Sequence, residues 1–162
     1  MRARADSAHD AKVFSLLIMK EIVPFLSFDG NCREAMEFYK ECFGAELYLL
    51  PFSEVPGNVL SEGQKALHRI MHSSLSKGST FLMAADTMPG MPFQPGNNFA
   101  VAIHPESLEE TERLFTALGE KGEVTMALQN TFWNARFGML TDRFGIRWMF
   151  NFALPKPDSK EG

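Results

Sequence analysis

The chain has 162 residues, 45% of them hydrophobic, enough to fill the core of one compact domain. Sixteen basic against twenty acidic residues give a formal net charge of -4, and no Lys/Arg block follows the spacing of a phosphate backbone, so nucleic acid is not an expected partner. No segment reaches the roughly 20 apolar residues that a membrane span needs.

In chain order, residues 1–20 read as an extension outside the fold. Arg2 and Arg4 precede the apolar run Val13 to Met19, but no small-residue cleavage site follows and Lys20-Glu21 leads directly into a strand. Met19 would serve as an alternative start. Glu21 to Phe28 is a β-rich run that breaks at Asp29-Gly30-Asn31. A helix follows, with Asn31 as cap, Glu34 as its box partner, and Ala35, Phe38, Tyr39, Cys42 and Phe43 on one face; Gly44 ends it. Cys32 and Cys42 would lie about 15 Å apart along that helix, too far for a disulfide, and read as the reduced thiols of a cytoplasmic protein. Ala45 to Phe52 is a second strand, Glu54 to Gln64 a loop, and Ala66 to Leu75 and Thr80 to Ala85 a hairpin turned by Ser76-Lys77-Gly78-Ser79.

After the Pro/Gly loop from Met88 to Asn97 the order begins again. Phe99 to Ile103 is a strand. Ser107 caps a helix with Glu110 as partner and Leu108, Leu114, Phe115 and Leu118 on its apolar face, and Gly119 and Gly122 close it. Val124 to Leu128, Phe137 to Thr141 and Ile146 to Phe152 are three more strands, the last two joined through Asp142-Arg143-Phe144-Gly145. The pattern is one βαβββ unit written twice, module one over 21–87 and module two over 98–154 of a single domain spanning 21–154, with 155–162 as a frayed tail. The fold class is α+β: paired modules with a cupped, half-barrel sheet and the helices outside.

Pro24 to Cys32, Phe38-Tyr39 with Phe43-Gly44-Ala45, His72, Asp86, Gln129 to Trp133, Phe137-Gly138, Asp142 to Gly145 and Trp148-Met149 together resemble the PhnB-like branch of the glyoxalase/bleomycin-resistance/dioxygenase (vicinal oxygen chelate) superfamily. The resemblance covers residues 20 to 154 and implies the same paired-module fold, often as a homodimer with modules paired within or between chains. Members of the branch often carry the label 3-demethylubiquinone methyltransferase. This sequence has no glycine-rich strand-to-helix turn where a methyl-donor nucleotide would sit.

The metal-dependent relatives place His or Glu ligands on the first and last strands of each module. The matching positions here fall near Pro24, Met83 or Ala85, Asn98 and Met149, none of them a good ligand, so no metal and no other cofactor is expected. His68 and His72 are four residues apart in what reads as a strand, about 13 Å, too far to share an ion. His72 and Asp86 belong to the family motif; Asp86 is either an acceptor or base at a loop mouth or a turn-forming aspartate. Gln129, Thr131 and Trp133 alternate and would face one side of an extended segment, with Asn98 and Met149 on the same concave surface. Trp148 and Phe150 take the opposite, packed face. Cys32, in the first helical turn, is either a dipole-activated thiol or an inert half-buried one.

Three functions follow as expectations. The first is a metal-independent protein binding an apolar or aromatic small molecule in the concave sheet through His72, Asp86, Asn98, Gln129, Thr131, Trp133 and Met149. The second is a metal-dependent isomerase, lyase or dioxygenase built on His72 and Asp86. The third is a structural homodimer with a vestigial pocket.

Overall fold

In the computed structural model, residues 21–55, 68–88 and 90–155 are described. The expectations for residues 1–20, for most of the first loop and for nearly all of the tail lie outside them. The elements run β1 (Phe25–Phe28), α1 (Cys32–Phe43), β2 (Glu46–Pro51), β3 (Ile70–Lys77), β4 (Thr80–Asp86), β5 (Val101–Ile103), α2 (Leu108–Gly119), β6 (Glu123–Asn130), β7 (Ala135–Thr141) and β8 (Arg147–Ala153). Strands β1–β4 form one four-stranded sheet in the order β1-β4-β3-β2. Strands β5–β8 form a second in the order β5-β8-β7-β6, with the parallel pair at the same edge of each. The fold is thus α+β, two copies of βαβββ with no closed barrel.

Alternation in the strands divides each sheet into two faces. Leu26, Phe28, Leu75, Leu82 and Ala84 of the first sheet, and Leu140, Trp148 and Phe150 of the second, are buried on the helix-bearing face. They join Met36 and Tyr39 of α1 and Leu114, Phe115 and Leu118 of α2 in one core cluster. Gly138 of β7 is required there, since a Cβ would approach the Phe115 ring to 2.9 Å. The modules meet chiefly through this shared core: α1 packs on α2, and the Tyr39 and Phe43 rings lie 5.3 and 5.7 Å from Trp148.

The helix ends differ in part from the sequence reading. Ser107 caps α2 as expected, accepting from the Glu110 amide at 3.0 Å, but the Glu110 carboxylate accepts from the amide of Glu106, one residue before the cap, rather than from that of Ser107, so the reciprocal half of the expected box is displaced by one residue. Gly44, at φ 60°, ends α1. Gly119, however, is the last helical residue of α2, and the left-handed position falls on Lys121. Asn31 makes no side-chain cap on α1. The orphan amides at that helix start are met from β4: Asp86 Oδ1 accepts from the Gly30 and Cys32 amides at 2.7 and 3.0 Å, and Oδ2 accepts from the Ile70 amide at 2.7 Å. Local spacing cannot reveal a cap 54 residues away.

A second buried carboxylate fastens the modules. Asp142 Oδ1 accepts from the Phe144 and Ile146 amides within its own turn, at 2.8 and 3.0 Å. Its Oδ2 accepts from the Trp148 indole at 2.7 Å and from the Tyr39 hydroxyl at 2.6 Å, reaching from module two into module one. Four donors compensate the desolvation of this charge. In urea denaturation, Tyr39→Phe should cost about 1–2 kcal/mol, the worth of one charge-assisted bond, whereas Asp142→Ala, which strands several buried donors, should cost roughly 3 kcal/mol or more.

Candidate functional site

The faces turned away from the helices carry most of the residues singled out in the sequence. In the second sheet, Ala102 of β5, Met149 of β8, Met139 of β7 and Met126 of β6 are consecutive cross-strand partners, forming a row with three thioethers. In the next row Phe137 is paired with both Asn151 and Gln129. Trp133 folds from the β6–β7 turn to 5.7 Å from the Phe137 ring and donates through its indole to Asn151 Oδ1 at 3.4 Å. Phe132, 98% exposed, stands edge-on to Trp133 at 4.8 Å. Gln129, Trp133 and Met149 are therefore brought to one surface.

Thr131 differs from the expectation. It lies beyond β6 in the turn, where its hydroxyl donates to the Ala135 carbonyl and accepts from the Ala135 amide, both at 3.1 Å. The extended segment assumed for 129–133 ends at Asn130. Asn98 also precedes its strand, which begins only at Val101, and Phe99 is exposed rather than packed under α2. The loop is held at this edge by Arg147, whose guanidinium donates to the Asn97 carbonyl.

The first sheet offers a similar surface. Phe25, Met83, Ser74 and Tyr48 are successive partners across β1, β4, β3 and β2. His72 lies half-buried one row further on, opposite Leu50; His68 sits outside β3 in an exposed turn. Asp86 occupies the opposite, buried face and is engaged by three backbone amides, a helix-capping role rather than a place at a loop mouth.

The positions at which relatives hold a divalent ion do not form a donor set here. Met83 and Ala85 lie beside Phe25 and Ser27, and Met149 lies between Ala102 and Met139. Among the described residues, no group of three or more His, Cys, Asp or Glu side chains is close enough to hold an ion. The residues present thus do not fit the metal that the fold family implies, and no step is derived through one.

Neither cysteine is activated. Burial drives the Cys32 thiol up to about 12, outweighing the lowering influence of the Ser73 hydrogen bond and the Arg33 charge; its S–H donates to Ser73 Oγ at 3.5 Å, since the Ser73 hydroxyl proton is given to the Ala84 carbonyl. Burial also raises Cys42 and Tyr39, and for Tyr39 the Asp142 carboxylate adds to the effect.

Met126 and Met139 of the methionine row, Asn151 as a partner of Trp133, and Tyr48 on the first sheet were not singled out in the sequence, and Phe25 and Phe137 entered it only as motif residues. Strict strand alternation would have found them once the register was known.

The matches to known proteins agree with this architecture. A family model described as 3-demethylubiquinone-9 3-methyltransferase matches residues 20–150. Protein YjdN of Escherichia coli (strain K12) is 34% identical over 143 residues, covering 83% of this chain and 96% of YjdN. The crystal structure of protein PA1353 from Pseudomonas aeruginosa is 42% identical, covers 85% of this chain and all of that one, and superposes with a TM-score of 0.77. A glyoxalase/bleomycin resistance protein/dioxygenase from Nocardioides, 18% identical over 96% of this chain and 99% of its own, shares the fold with a TM-score of 0.52. The chain belongs to the family that this model describes, 3-demethylubiquinone-9 3-methyltransferase, and shares its fold with the glyoxalase/bleomycin resistance protein/dioxygenase from Nocardioides.

The raised thiol has a measurable consequence. Above the ordinary thiol value of 9.0 the unfolded chain loses protons that the native chain keeps, so stability should fall as pH rises from about 9 toward 12. Urea denaturation across that range should show a shallower decline in Cys32→Ala than in the parent chain.

Proposed function

We propose that the chain is a metal-independent small-molecule binding protein that takes an apolar or aromatic ligand on the open faces of its sheets, with a second copy of the chain closing that surface. The carrying observation is the exposure of apolar side chains in register across those faces: Phe25 is 50%, Tyr48 55%, Trp133 50% and Met126 39% exposed. Soluble chains rarely leave contiguous apolar rows uncovered without a use for them. Thioethers adapt to ligands of varied shape, and Trp133, Phe137, Gln129 and Asn151 add aromatic contact and amide hydrogen bonding. Of the residues expected to hold the ligand, Met149, Gln129, Trp133 and His72 remain in this proposal, Asn98 at its edge. Asp86 and Thr131 support the backbone around it.

The packing supports pairing between chains rather than within one: inside this chain the modules are joined through their helices, and neither open face is covered by the other sheet. A reducing, cytoplasmic setting suits two free buried thiols. Methyl transfer, named in the family's description, gains no support from the chain: it has no glycine-rich strand-to-helix turn for a methyl-donor nucleotide, and the amides at the start of α1 are taken by Asp86.

Analytical ultracentrifugation should find a dimer, and Tyr48→Arg, which places a charge on an apolar face, should shift it to monomer. In calorimetric titration with indole and 1-naphthol, Met149→Arg should weaken binding by at least about tenfold. Stoichiometric Zn²⁺ or Mn²⁺ binding, lost in His72→Ala, together with no binding of either aromatic, would instead favour the metal-dependent isomerase, lyase or dioxygenase reading. A dimer that binds neither would favour a purely structural role.

A further inference from the structure

A separate site is suggested on the other side of the molecule, where the modules join. Between α1, β2 and the β7–β8 turn lies a cavity of about 570 Å³, open to solvent. Its apolar wall is Phe38, Leu47 and Leu49; its polar lining is Arg143, Lys40, Glu37 and Glu41. None of the residues assigned to the open sheet faces lines it.

Arg143 is the feature without an explanation in the fold. It is partly buried, its guanidinium lies 4.0 Å above the Phe38 ring and 5.4 Å from that of Phe144, and its Nε is buried with no acceptor among the described residues. No carboxylate among the described residues forms an ion pair with it; the rim acids are engaged elsewhere, Glu37 with Arg33 and Glu41 with Lys40, each at 3.8 Å. A guanidinium is always charged and presents its donors as a rigid fork matching the two oxygens of a carboxylate. Stacking on Phe38 holds that fork in place but satisfies none of its N–H groups.

We propose that this cavity binds a small monocarboxylate with an apolar or aromatic body, its acid group paired with Arg143 and its body lying against Phe38, Leu47 and Leu49. The charges favour a single negative charge over a doubly charged anion. Glu37 and Glu41 stand on the same rim, and only Arg143 is left without a counter-charge. The room suits one ring and a short chain.

The test is isothermal titration of the full chain at low salt with phenylacetate, its uncharged amide, phenethylamine and inorganic phosphate. Phenylacetate is expected to bind and to shift the Arg143 Nε–H resonance. The amide should bind roughly 10- to 100-fold more weakly, the loss that accompanies removal of a charge-assisted pair. Arg143→Met should show the same loss and Arg143→Lys an intermediate one, since an ammonium keeps the charge without the fork. Leu49→Trp, which fills the cavity from the opposite wall and leaves Arg143 in place, should also abolish binding. Acid and amide binding alike, phosphate binding as tightly as phenylacetate, unchanged affinity in Arg143→Met, or no binding at millimolar ligand would each overturn the proposal. If Arg143→Met fails to fold, the ligand series on the parent chain and the Leu49→Trp variant decide it. Met149→Arg should leave phenylacetate binding unchanged, so this site and the open-face site can fail independently.

Discussion

The buried carboxylate of Asp142 holds the two halves of this molecule in one structure. It accepts from two amides of its own turn, from Trp148 of β8 and from Tyr39 of α1, and so joins the turn, the second sheet and the first helix at one point. A desolvated charge tolerates little rearrangement, because each donor withdrawn leaves a polar group without water or partner. Around it Tyr39 packs edge to face with Phe144 and Trp148, and Phe38 lies tilted against Phe144, so the polar junction sits inside an aromatic shell rather than at a wet seam. Joining the modules by their helices leaves neither open face covered by the other sheet. The exposed methionine and aromatic rows are therefore a consequence of how the core is closed.

Asp86 plays a related part inside module one, tying the last strand to the start of α1 and to β3. In both modules an aspartate at or just past the end of a strand supplies acceptors to amides that the local sequence leaves unpaired. Asp86, a motif residue offered as an acceptor or base, thus spends both carboxylate oxygens on backbone amides. The surfaces left for function combine apolar side chains with polar groups such as His72, Gln129 and Asn151 on the open faces and Arg143 with Lys40, Glu37 and Glu41 at the cavity.

The fold was largely legible from the residues. Two periods of strand, amphipathic helix and three strands can be read from Phe25 to Asp86 and again from Val101 to Phe152, and the alternation at Trp148-Met149-Phe150 gives the correct faces. The site was legible only where it followed alternation, as at Met149 and Gln129. Thr131 leaves the expected extended segment because β6 ends at Asn130, and Trp133 reaches the open face from the turn instead; a turn closed by a threonine hydroxyl has no period to read. Asn31 has the composition of a cap, yet a better acceptor arrives from 54 residues away and takes the amides first. Arg143 looked like an ordinary turn residue, since nothing in Asp-Arg-Phe-Gly reveals that its guanidinium faces the other module.

The Tyr39–Asp142 bond spans 103 residues of chain. On a ribosome adding about 5–20 residues each second, the phenol emerges seconds ahead of the carboxylate that receives it. During that interval the nascent first half has its own sheet and helix but lacks the aromatic shell that later closes over Tyr39 and Phe43. Its inner surface is then available to any passing apolar segment, including the same half of a neighbouring nascent chain. The interaction that secures the finished molecule is therefore among the last to form, and the period of greatest exposure to misassembly precedes the synthesis of Trp148.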